Sequence, residues 1–234
     1  MQNHDNGNTY EIIKQKLQNE GYIITEMVLN TMDHTDLPQN RERIYILGFR
    51  NQSEYEQFMV LKRSITSKTN KTPAERTEDV KKIIDFNETD NKYFYTKEKY
   101  PHYYNSTINI DEQISEKYQF YQLRRVYIRH NKSNVCPTLT ANMGTGGHNV
   151  PLIRVDGGVR KITPAEAFRL QGFPVGNGYT LPIAINGKPY GDSNLYKQAG
   201  NAVSVPVVKM IASELLKIKS SSSGAELGTI QNAS

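Results

Sequence analysis

The sequence predicts the α/β class, on three observations. The first is a helical stripe, with Tyr10, Ile13 and Leu17 at i, i+3 and i+7. The second is a pair of strand-like runs after it: Tyr22–Leu29 alternates, and Ile44–Phe49 is a short apolar run of the kind buried in a sheet. Helix, strand, loop and strand in that order is the rhythm of an α/β sheet. The third is a short capped helix over Pro164–Gln171 that must dock on something larger, since a helix of that length cannot bury itself.

Composition sets the limits. A chain of 234 residues and 26.7 kDa can bury a real core in one domain or two. Hydrophobic content of 37% and charge of 23% fit a soluble globular protein. No run is long or apolar enough to cross a membrane, and Met1–Tyr10 has no signal-peptide pattern. A single cysteine excludes an internal disulfide framework and agrees with a reducing cytoplasm. The histidines show no metal-ligand spacing with it, so no metal site is expected. Net charge is +5, yet residues 121–170 alone carry eight Lys and Arg against Asp156 and Glu166. A basic segment on a nearly neutral body suits phosphate contact, and equally fits a solvated charged face.

Taken in order, Met1–Gly7 is polar and loose, and Asn8 with Glu11 three residues on reads as a helix cap. The helix ends near Gly21. The loop Asn30–Arg43 then leads into the second strand. Alternation there points Arg41 and Arg43 the same way with Glu42 opposite, a fork suited to a carboxylate, phosphate or carbonyl oxygen. The same arginines also fit a strand entrance paired with local acids. Asn51–Tyr118 changes character, being rich in Lys, Glu, Thr, Asn and Tyr. Thr72-Pro73-Ala74-Glu75 starts a surface helix over Thr72–Phe86. Tyr93–Tyr104 interleaves aromatics with Lys97 and Lys99, a pattern of nucleic-acid binding or of a small-domain core.

Arg124–Arg129 reads as a strand bearing basic residues. Val135–Val150 carries Gly144, Gly146 and Gly147 for close backbone approach or a flexible turn, without the lysine and spacing of a P-loop. Leu152–Val155 and Val159–Ile162 flank Asp156-Gly157-Gly158 as a hairpin. Thr163 caps the next helix, Pro164 suits its first turn, Glu166 completes a capping box, and Gly172 and Pro174 stop it. Gly176–Gly191 is a loop, and Tyr196–Val203 opens a final helix over Val205–Lys217. Ser220–Ser234 is a low-complexity polar tail expected to be disordered.

Three of these blocks resemble, in order, signature motifs of the DNA (cytosine-5) methyltransferases. Arg160–Pro174 (RKITPAEAFRLQGFP) looks like the late motif of that family, with Ile162 for the usual Leu. Gln39-Asn40-Arg41-Glu42-Arg43 is similar to its Q-x-R-x-R block. Leu195–Val208 (LYKQAGNAVSVPVV) is similar to its last motif, with Ala202 for the usual Ser. The resemblance implies the C-terminal part of a Rossmann-like methyltransferase domain interrupted by a small target-recognition domain. Residues 1–55 and 159–218 would belong to the catalytic domain, 56–158 to the recognition domain and 219–234 to the tail.

It also implies roles. Arg43 is expected at the flipped cytosine, Arg41 in its support, and Gln39 in ordering the loop. Asn201, Ala202 and Val203 are expected to wall the S-adenosylmethionine pocket, with no hydroxyl at Ala202. Thr138 and Leu139 match the family's Thr-Leu pair near the target phosphates, and Arg124, Arg125 and Asn142 are further candidates for double-stranded DNA. Cys136 lies between Val135 and Pro137, after the Q-x-R-x-R block, so its order and context are wrong for the nucleophile.

The family's early motifs are a glycine-containing cofactor loop, Pro-Cys-Gln and Glu-Asn-Val, and none occurs in these residues. The chain is therefore expected to be the C-terminal half of a split enzyme in a restriction-modification system, active only with a partner carrying the N-terminal motifs. In isolation it should be poorly stable or sticky. The alternatives are a catalytically inactive DNA-binding remnant and a stand-alone specificity module.

Overall fold

A computed structural model describes residues 7–124, 127–143 and 151–218. In order the elements are α1 (Asn8–Asn19), β1 (Ile23–Asn30), α2 (Thr31–His34), β2 (Glu42–Phe49), α3 (Gln52–Thr66), α4 (Pro73–Ile83) and α5 (Ile110–Gln113). There follow β3 (Tyr121–Leu123), β4 (Ile128–His130), β5 (Pro151–Val155), β6 (Gly158–Lys161) and α6 (Pro164–Leu170). Last come β7 (Ala184–Ile185), β8 (Lys188–Pro189), α7 (Asp192–Asn201) and α8 (Val205–Leu215). The described residues divide into two compact units, one of 7–28, 44–67 and 209–218, the other of 29–43 and 68–208. Among them no helix is long and apolar enough to cross a membrane.

In the first unit β1 and β2 form a two-stranded sheet. The N-cap of α1 is Gly7 at φ +90°, with no side-chain cap, so the expected Asn8–Glu11 cap is not formed; Asn8 already lies inside the helix. A left-handed glycine turns the chain into α1 instead. Helix α3 lies where the sequence reading has no element. Asn51 caps it by accepting from the Ser53 and Glu54 amides at 2.8 and 3.4 Å. Its buried Phe58 meets Phe49 with ring centroids 5.3 Å apart, and Lys62 donates to the Thr25 hydroxyl at 2.9 Å.

The second unit is built on a four-stranded antiparallel sheet in the order β4-β3-β5-β6. One core cluster gathers Phe120, Ile153, Ile162, Leu170 and Ala199, and another gathers Tyr95, Ile110, Tyr121, Leu152 and Val159. Tyr93, Phe94 and Tyr95 are buried and Tyr95 stacks on Tyr100 at 4.6 Å, so these aromatics serve as core. The Asp156-Gly157 hairpin forms as read, with Val155 opposite Gly158. The α6 capping box forms too.

Four readings are corrected. Arg124–Arg129 is not one strand, because the Arg124 amide donates to the Tyr127 carbonyl at 2.9 Å and the chain turns from β3 into β4. Helix α4 starts with its Thr72–Glu75 capping box but ends at Ile83, and it buries Arg76, Asp79, Val80 and Ile83 rather than lying on the surface. The Gly176–Gly191 loop contains the β7–β8 hairpin. Residues 192–201 form their own helix, α7, ahead of α8.

Candidate functional site

The site is assembled around Arg41. The Asn30 side chain accepts from the Arg41 amide at 2.9 Å, and Thr31 donates its amide to the Arg41 carbonyl at 3.0 Å, fixing the chain just before β2. The buried guanidinium then reaches three main-chain carbonyls: Leu139 at 3.1 Å, Gly200 at 3.1 Å and Ala202 at 2.5 Å. A guanidinium presents several rigidly oriented donors, so one side chain can fix several loops at once. Here it joins residues from three separate blocks.

A second set of bonds tightens the same knot. Gln39 is fully buried and donates its amide to the Leu170 carbonyl at 2.7 Å. Residues 38–40 pair with 136, the Cys136 amide donating to Pro38 at 2.7 Å and the Asn40 amide to Cys136 at 2.8 Å. The Thr138 hydroxyl donates to the Asn40 carbonyl at 2.6 Å. Gln171 donates to the Ala199 carbonyl at 2.8 Å, and the Val205 amide donates to the Gln171 carbonyl at 2.8 Å. The approach is so close that a β-carbon on Gly200 would sit 2.3 Å from the Thr140 main chain.

Helix α6 is held in place by Glu166, which is wholly buried. Its carboxylate accepts from the Arg160 guanidinium at 2.7 and 2.8 Å, from the Thr163 amide at 2.6 Å and from the Asp85 amide at 2.8 Å. Tyr196 donates its hydroxyl to the Ile162 carbonyl at 2.5 Å. The signature residues of this helix are thus mostly internal fasteners.

The sequence-derived candidates fall into distinct places. Gln39, Arg41, Thr138, Leu139 and Ala202 belong to the knot. Arg43 is half-buried beside them in sequence but donates to the Glu42 carbonyl at 2.6 Å. The two-arginine fork is therefore corrected: Arg41 lies before β2, outside the strand alternation, and its guanidinium is engaged with carbonyls. Asn201, the last residue of α7, and Val203 just beyond it are exposed, an amide and an apolar side chain on either side of the anchored Ala202. Such a mixed polar and apolar edge fits one wall of a site for a ligand such as S-adenosylmethionine. Asn142 accepts from the Thr140 hydroxyl at 2.7 Å. Arg125 and the glycines at 144–147 lie outside the described residues. Cys136 is buried and its burial pushes the thiol well above its ordinary pKa, the reverse of an activated nucleophile.

Beside the knot lies a polar cleft of about 410 Å³, lined among others by Asn40, Arg124, Thr138 and Thr140. Sequence reasoning missed that Gln122 and Arg129 line it as well. The signal was present in their positions two and five residues from Arg124–the register of a hairpin would have shown it. Another cavity, of about 340 Å³, is lined by Phe86, Phe94, Glu88 and Asp156 and, among the described residues, by no candidate. Among the described residues no cluster of His, Cys, Asp and Glu could hold a metal ion.

Known proteins resemble this chain over most of its length. The family model described as C-5 cytosine-specific DNA methylase matches residues 1–217. The Type II methyltransferase M.Bsp6I of Bacillus sp. (strain RFL6) is 44% identical over 215 residues, covering 92% of this chain and 61% of the relative. M.HaeII of Haemophilus aegyptius is 33% identical over 214 residues, covering 91% and 57%. The chain thus spans about three-fifths of the length of these curated relatives. Among solved structures, the Dnmt2 methyltransferase of S. pombe superposes with a TM-score of 0.57 at 17% identity, over 89% of this chain and 63% of the other. The Entamoeba histolytica methyltransferase EhMeth gives 0.55 at 15% identity, over 90% and 58%. The fold is that of the α/β methyltransferases.

Proposed function

Because this chain belongs to the C-5 cytosine-specific DNA methylase family, we propose that it grips duplex DNA and closes the cofactor site in the methylation of cytosine at carbon 5. The Arg41 knot carries the proposal, because it ties the Q-x-R-x-R block, the Thr-Leu pair and the last motif into one hydrogen-bonded unit. The setting we assign is a restriction-modification system, in keeping with the Type II names of the relatives, and the single cysteine accords with a reducing cytoplasm.

In this reading the target cytosine is turned out of the duplex. Arg43 meets the flipped base, while Arg41 and Gln39 position the loop that carries it. Thr138 and Leu139 lie along the phosphates of the target nucleotide, with Arg124, Arg125 and Asn142 as further DNA contacts. Asn201, Ala202 and Val203 form one wall for S-adenosylmethionine, which supplies the methyl group when bound. Recognition is assigned to residues 56–158, flanked by catalytic-domain segments 1–55 and 159–218.

The reaction also needs a cysteine thiolate to attack carbon 6 of the base and a glutamate at ring nitrogen 3. The Pro-Cys-Gln and Glu-Asn-Val motifs that bear them are not in these 234 residues. We assign both groups to a segment outside this sequence, on the same polypeptide or on a partner.

The test is reconstitution. The chain is mixed with the Pro-Cys-Gln and Glu-Asn-Val segment of a relative, and transfer of a radiolabelled methyl group to duplex DNA is followed. We expect transfer from the mixture and from neither part alone. Methylation by this chain unaided would overturn the division of labour, and silence from every mixture would leave DNA binding as its only role.

A further inference from the structure

We propose that the β3–β4 hairpin is the base-reading ribbon of this chain and that Arg129 reads a guanine through its major-groove edge. This rests on the proposed function and deepens it. Arg129 stands directly across the ladder from Gln122, and Arg124 is two residues beyond Gln122. Alternation therefore places Gln122, Arg124 and Arg129 on one face of the hairpin. The other face is committed to the core through Tyr121 and Leu123, both buried. Among the described residues β5 pairs with β3 at Tyr121 and Gln122, and β4 pairs with β3 on its other side.

The surroundings of the polar face match an anionic, hydrogen-bonding ligand. Among the described residues that line the cleft it shares with Asn40 and Thr138 there is no Asp or Glu. Arg129 is exposed and has no partner among the described residues. Arg41, Arg154, Arg160 and Arg169, by contrast, each donate to a carbonyl or carboxylate. A two-stranded ribbon fits the width of the DNA major groove, and an arginine paired bidentately with guanine O6 and N7 is the commonest specific contact there. Asn40 and Thr138 belong to the knot, so a ribbon seated in the groove would be held in register with the groups assigned to the target nucleotide.

A randomised duplex library tests this, using the full chain mixed with its complementing segment. The wild type is first used to select its preferred sites. Arg129→Ala and Arg129→Lys, checked for folding by circular dichroism, are then profiled on the same library. We expect Arg129→Ala to lose preference for guanine at one position and to bind the selected site about 5- to 150-fold more weakly. Lys should recover only part of that loss. In the wild type, 7-deazaguanine at that position should reproduce the defect, with little further loss on adding Arg129→Ala. Uniform weakening across all sequences, with the salt slope reduced by about one, would mean a phosphate contact and overturn the inference. An unchanged profile would overturn it too. A wild-type mixture that enriches no DNA would overturn the proposed function and this inference together.

Discussion

Glu166 shows how much one side chain can hold. Its carboxylate accepts from Arg160, Thr163 and Asp85 while both members of the ion pair are fully excluded from solvent. Removing one partner of such a pair strands the other charge in the interior, at a cost of about 3–5 kcal/mol. We expect Glu166→Gln to lose stability on that scale in urea unfolding of the chain. A loss under about 1 kcal/mol would show that Arg160 finds other acceptors. The Thr163–Glu166 box was legible from spacing alone, since cap and acid are three residues apart. The Arg160 partnership was not: counting charge put Arg160 among surface cations, whereas pairing across the end of the hairpin buries it completely. Composition cannot distinguish a cation spent inside from one displayed outside.

At the scale of elements, local chemistry was read well and tertiary demands poorly. Helix α6, the β5–β6 hairpin and both strands of the first sheet follow from caps, turn residues and periodicity. Helix α3 was hidden by its polar composition, although Asn51 caps it and Phe58 and Ile65 recur at a helical interval. The β3–β4 turn was hidden because a run of basic and β-branched residues mimics a strand. One close approach concerns α7, where Gly200 abuts the main chain at Thr140 and Ala141. Main chain cannot swing aside, so Gly200→Ala should destabilise the chain by about 1–3 kcal/mol and loosen the Arg41 knot. Gly191 provides the control, with φ −71° and open space around it, so Gly191→Ala should be nearly neutral. Thermal unfolding of the two variants side by side makes the comparison, and equal melting temperatures would refute it.

For the whole molecule, the two units differ in how well they bury their strands. In β2 the apolar run Ile44, Tyr45, Ile46 and Leu47 is only half-buried throughout, and Val28 of β1 is 44% exposed. In the other unit Leu152, Ile153 and Val155 of β5 are buried. A two-stranded sheet is marginal unless something covers it. We expect the amides of β2 to exchange with solvent well before those of β5 in hydrogen-exchange measurements on this chain. Equal protection would mean that the small sheet is self-sufficient. The expectation of a poorly stable or sticky chain came from the missing early motifs; which residues of the small sheet are half-buried is legible only in the structure. The buried Cys136 has a practical consequence here. It is the sole cysteine, and burial both shields its sulfur and keeps it protonated. A thiol introduced on the surface would thus be the single reactive handle, so a fluorophore or crosslinker can be attached to β2 without first stripping the native sequence.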